Sequence, residues 1–238
     1  MKSCLADMPA DTATGPRGAK PVPSWAALLE RFYERTGLSL PALQEVKPGQ
    51  VPQPYRSLLV HSSDMTPTLA GFYGQPIRIR VLGRERRDDS YKREVVLWLV
   101  DDERSVEYGV IRIWLDRLTP AARRLVLQEQ RPLGDILNAE AIPHLSWPKG
   151  FFRLRADVHA CAALGLRHAD LLYGRRNVLL DGARRLLAEV IEVLAPAPKA
   201  PADSNGKGSE GRSARRNGAA TAARPLDPGR VPLAEVRK

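Results

Sequence analysis

Long apolar runs, cysteine pairs and a phosphate-cradling loop are all missing from this chain of 238 residues. No stretch approaches the roughly 20 apolar residues of a membrane span, and the N-terminal region lacks the apolar centre of a secretory signal. A cytoplasmic protein with no membrane partner is therefore expected. The two cysteines, Cys4 and Cys161, allow neither a disulfide framework nor a Cys-x-x-Cys metal site. The histidines, His61, His144, His159 and His168, show no metal-ligand spacing, so no metal and no cofactor are expected. Neither a GxSxG elbow nor a GxxxxGKS/T loop occurs, which excludes the common serine-hydrolase and P-loop chemistries.

What the chain does have is an ordinary globular composition, 43% hydrophobic and 27% charged, with a net charge of +10. Residues 1–22 are rich in Pro, Gly and Ala without periodicity and read as a disordered leader. Residues 197–238 hold nine Lys/Arg against four Asp/Glu and little apolar content. Half of the net charge thus sits in what reads as a disordered basic tail. Residues 23–196 between them are long enough to bury a core as a single domain. Basic charge gathered in a tail reads first as a solvated segment, with nonspecific contact to polyanions as the alternative, and no specific nucleic-acid partner is expected.

Along that domain, Trp25, Leu28, Leu29, Phe32 and Tyr33 recur at helical spacing between Ser24 and Gly37, which predicts a helix over Trp25–Thr36. Pro41–Pro54 reads as irregular, broken by Pro48, Gly49, Pro52 and Pro54. A second helix follows a cap among Ser62, Ser63 and Asp64 and closes at Gly74. Pro76–Arg84, Tyr91–Val100 and Val106–Leu115 then alternate as strands joined by short polar turns, an antiparallel meander. Thr119 caps a helix, RPLGDILNAE begins another, and Phe151–His159 alternates again. Leu171–Leu180 with Arg184–Leu194 completes a final hairpin. Strands in runs, without βαβ alternation, predict an α+β fold on one antiparallel sheet of about six strands.

Two strands carry charge where period two asks for an apolar residue. Arg93 shares a face with Val95, Leu97 and Leu99, and a buried guanidinium without an anion is too costly to keep. On the last strand Glu189 lies with Leu187, Ile191 and Val193, while Glu192 lies with Leu186, Ala188, Val190 and Leu194. Both faces are apolar, so the pattern leaves the choice between these glutamates open. One reading is a structural ion pair. The other is a pocket, with the arginine holding a ligand carboxylate and a glutamate exchanging a proton. Arg175 and Arg176 of YGRRN are expected to be exposed or structural.

Taken in order, DMT, YKREVVL, RPLGDIL, YGRRN and GARRLLAEV, across about Leu58–Pro196, resemble the chorismate pyruvate-lyase family. The resemblance implies a six-stranded antiparallel sheet with helices and two helical flaps closing over an internal site. It implies that Arg93 binds a ring carboxylate and that backbone N–H groups of Met65 and Leu133, on the flaps, share it. It further selects Glu189 as the general acid or base at the hydroxyl end of the ring. The implied reaction eliminates pyruvate from chorismate to give 4-hydroxybenzoate for quinone synthesis, ubiquinone for example, with no cofactor and by a monomer. An alternative on the same fold is a noncatalytic domain that binds an aromatic carboxylate, like the effector domain of some bacterial transcription regulators.

Overall fold

The computed structural model describes residues 23–197; the expected leader and basic tail lie outside the described residues. After a 3-10 turn at Ser24–Ala26 come α1 (Ala27–Thr36), β1 (Gln44–Val46), α2 (Tyr55–Leu59) and α3 (Met65–Tyr73). The chain then runs through β2 (Ile77–Arg87), β3 (Ser90–Leu99), β4 (Ser105–Trp114), α4 (Pro120–Leu127) and α5 (Leu133–Ala139). It ends with β5 (His144–Arg155), α6 (Val158–Leu164), β6 (Leu171–Asp181) and β7 (Leu186–Leu194). The helix ends follow the local chemistry: Gly37 and Gly74 take left-handed backbone at the ends of α1 and α3, and the Thr119 side chain accepts from Ala122 N–H at the start of α4.

All seven strands lie in one antiparallel sheet, ordered β1-β5-β6-β7-β4-β3-β2. Two meanders, β2-β3-β4 and β5-β6-β7, meet where β4 pairs with β7. The architecture is α+β as expected, but the sheet has seven strands where six were expected. The extra strand is β1, whose three residues pair with Phe151–Arg153 inside the segment read as irregular. Three residues are too few to show an alternation, and the surrounding prolines hide them. Strand β5 also starts earlier than expected, at His144, because a bulge between Pro148 and Gly150 interrupts its period.

Period two sends alternate side chains to two different cores. On one face α1 and α6 pack Leu29, Phe32, Tyr33 and Leu164 against Val96, Tyr108, Val110, Phe152, Leu154, Ile191 and Val193. On the other, α2–α5 cover Leu97 and Leu99 at one end of the sheet and Tyr91, Ile111 and Ile113 at the other. Each fully buried Leu, Ile or Phe contributes on the order of 1.5–3 kcal/mol to keeping these layers together. Gly174 in YGRRN has a packing reason: a Cβ there would collide with the Glu192 carbonyl and the Phe152 ring. Among the described residues, no helix is long and apolar enough to cross a membrane.

Candidate ligand cavity

Arg93 decides where to look. It sits on β3 with 1% of its surface exposed, on the face covered by α3 and α5. Its Nη2 donates to the Arg131 carbonyl at 3.3 Å, while Nε and Nη1 have no partner among the described residues. The carboxylate of Glu129, whose charge reaches Arg93, is engaged by the Tyr91 hydroxyl and by Arg84 Nη1. Burial lowers the guanidinium pKa to about 10, so it remains a cation at neutral pH. This is not the structural ion pair: a buried charge faces a cavity with two N–H groups to offer.

The cavity has about 580 Å³ of free space, its open mouth included. Ile79, Val95, Leu97, Ile111, Leu179 and Val190 form an apolar middle, and Met65, Thr66, Leu133 and Gly134 close it from above. Met65 and Leu133 open α3 and α5, so their N–H groups belong to first turns, where a helix leaves backbone donors without partners. The two flap helices are joined through Asp64, whose carboxylate receives His144 Nε2 at 2.9 Å and Asn138 Nδ2 at 3.3 Å. The imidazole beside it holds the Asp64 carboxyl below its usual range against the opposing effect of burial; the same contact raises His144.

At the far end stand Glu107, Asn177 and Glu192. Glu192 is paired with Arg175 Nε, and both side chains are buried. Arg175 also donates to the carbonyls of Leu59, His61 and Ser63, which ties the lead-in of α3 to the sheet. Asn177 donates to Ser146 at 2.9 Å, but among the described residues its Oδ1 has no partner, and neither has Glu107 Oε2. Burial, then the charge of Glu192, raises the Glu107 carboxyl well above its usual value, with Arg175 opposing. The shift favours the protonated form of Glu107, which can donate. Arg93 registers with Ile111 and that residue with Val190, two positions from Glu192. Strand spacing and rise then separate the Arg93 and Glu192 Cα atoms by about 12 Å, the span of a ring with a substituent at each end.

The structure thus brings Arg93, Met65 and Leu133 to one cavity and leaves Glu189 out of it. Glu189 points to the opposite face of the sheet, where its Oε2 lies 3.3 Å from Arg112 Nη1. The reason is the strict alternation of β7: Glu192, three residues on, has the opposite parity and faces Arg93's side. A shared spacing from Gly182 could select Glu189 but could not fix its face. Sequence reading missed Glu107 and Asn177. The signal for Glu107 was present, since Glu107, Gly109, Ile111 and Ile113 share a face of β4, an acid among apolar neighbours like Arg93 on β3.

No family model matches the sequence, and no curated protein matches it. Solved structures do show partial likeness. PhnF from Mycobacterium smegmatis is similar over 57% of this chain at 13% identity and a TM-score of 0.44. The chain spans 65% of that protein's length. The effector domain of the same PhnF is covered to 87% by 55% of this chain, with 13% identity and a TM-score of 0.43. A GntR-family transcriptional regulator from Enterococcus faecalis V583 is covered to 92% by 49% of this chain, at 12% identity and a TM-score of 0.37.

Proposed function

We propose that this protein binds a small organic anion, with a carboxylate on Arg93 and a single ring in the apolar middle of the cavity. The observation that carries the reading is the buried Arg93 guanidinium, with Nε and Nη1 unpartnered in the protein and facing that space. A carboxylate would take both donors as a fork and answer the charge. At the other end, the Asn177 carbonyl oxygen and Glu107 would meet a hydroxyl on the ring.

A second reading, elimination of pyruvate from chorismate, draws support from one observation, the raised carboxyl of Glu107 in the same cavity. A neutral carboxylic acid there can deliver a proton to the ether oxygen as its bond to the ring breaks, and the carboxylate left behind can take the ring proton whose loss makes the ring aromatic, a part that Glu189 cannot take from the other face. Calorimetry with benzoate and 4-hydroxybenzoate, together with a pyruvate assay on chorismate, tests both readings. Binding of 4-hydroxybenzoate by the wild type and its loss in Arg93→Met are expected. No binding by the wild type would refute the anion reading. Release of pyruvate that survives Glu189→Gln but not Glu107→Gln would establish lyase chemistry on Glu107, while no release would remove the lyase reading and leave binding.

A further inference from the structure

The sheet carries a second concavity on its opposite face, between the start of α1 and strands β4, β7, β6 and β5. Its free space is about 740 Å³, mouth included, and of its lining residues Asn177 and Val190 also line the first cavity. Arg112 from β4, Lys149 from β5 and Arg176 from β6 converge on it, with Trp25, Leu28, Val178 and Ile191 as apolar wall. Two carboxylates answer these cations. Glu189 lies 3.3 Å from Arg112 Nη1, and Glu45, on the exposed edge, lies 3.5 Å from Arg176 Nη2 and accepts from Trp25 Nε1 at 2.9 Å.

Three local features build this arrangement. Lys149 is the extra residue of the β5 bulge, between Pro148 opposite Asn177 and Gly150 opposite Arg176. A bulge re-aims one side chain out of the ladder. Gly150 leaves room for Arg176: a Cβ there would stand 2.7 Å from its Nε. The guanidinium is also held against the Trp25 ring, 5.0 Å from the centroid. Arg112, finally, keeps a buried Nε with no partner among the described residues, although its Nη1 meets Glu189. Arg112 and Arg176 are each about one-third exposed, open enough to reach a ligand and held enough to wait in place.

We propose that this groove binds the phosphate group of a small phosphorylated molecule, with its apolar body against Trp25 and Leu28. Arginine forks and an ammonium group together are the donor set that phosphate oxygens take. These three cations stand against Glu189 and the exposed Glu45, which leaves one positive charge in excess, and their N–H groups outnumber what the two oxygens of a carboxylate accept, whereas a phosphate presents three. A phosphate monoester supplies two charges above its second ionisation near pH 6. Glu189, left over from the first cavity, then has a definite place: it fixes one end of the Arg112 fork and leaves the Nε side for ligand. The inference does not depend on what the first cavity binds.

Titration of the full chain with phenyl phosphate at about pH 7.5, where the monoester is a dianion, tests the proposal by calorimetry. Arg176→Met, Arg112→Met and Lys149→Met are each expected to weaken binding by about tenfold or more, the loss of one charge-assisted hydrogen bond. Benzoate should bind Arg176→Met as it binds the wild type. Lys149, on the bulge, and Arg176 keep the test readable if Arg112→Met does not fold. Inorganic phosphate should bind less tightly than phenyl phosphate, and equal affinity would overturn the part given to the apolar wall. No binding of phenyl phosphate at millimolar concentration, unchanged binding in Arg176→Met and Lys149→Met, or displacement by benzoate would overturn the proposal. Failure of benzoate alone to bind would count against the first cavity's reading and not against this one.

Discussion

Replacing Arg93 by methionine should make the protein more stable and unable to hold its ligand. In the unliganded chain the guanidinium makes one 3.3 Å hydrogen bond, to the Arg131 carbonyl, and leaves Nε and Nη1 without protein partners. Burial lowers its pKa to about 10, which corresponds to roughly 3 kcal/mol of desolvation strain in the charged form. Methionine, of similar length, removes that strain and forfeits one long hydrogen bond worth about 1 kcal/mol. A net gain of about 1–2 kcal/mol follows, a rise in Tm of about 3–6 °C for a domain of this size. Ligand affinity should fall by about a hundredfold or more, because two charge-assisted hydrogen bonds disappear. Thermal scans of both proteins, with and without 4-hydroxybenzoate, provide the assay. A Tm for Arg93→Met several degrees below that of wild type would refute the reasoning, for it would mean that Arg93 belongs to a structural pair.

Two further predictions rest on pH. Glu107 is raised in the folded chain, so between the usual 4.5 and its folded value the native state holds more protons than the unfolded one, and stability declines as pH rises. Glu107→Gln should flatten that decline in urea melts between about pH 5 and 8, and an unchanged slope would refute it. At the flaps, His144 is raised and its contribution is present in full below the usual 6.5, then lost as pH climbs through its folded value; Asp64 is lowered, and its contribution is lost only as pH falls below the usual 3.8. Amide exchange in α3 and α5, corrected for intrinsic rate, should therefore be faster at about pH 8 than at about pH 6. His144→Phe should abolish that difference.

The sequence disclosed whichever features a single element could display. Arg93 was legible because β3 is long and its alternation uninterrupted, and the flap positions Met65 and Leu133 followed from ordered short motifs. β1 was hidden by its length and β5 by its bulge, since both break the period that marks a strand. The choice between Glu189 and Glu192 could not be made along the chain. It depends on which parity of β7 meets Ile111 on β4, a matter of pairing between strands far apart in sequence. Glu107 could have been found by the same test that found Arg93, applied to the neighbouring strand.

Arg175 has a consequence for how such a cavity could change over generations. The one side chain holds Glu192 and the carbonyls of Leu59, His61 and Ser63, so a substitution at the Glu192 end would loosen the entrance and the sheet together. At the other end Arg93 leans on a single carbonyl and can be exchanged at no structural loss. Descendants of this chain that drift toward new ligands should therefore diverge first around position 93, while the Arg175–Glu192 pair stays fixed as the hinge-pin on which the entrance hangs.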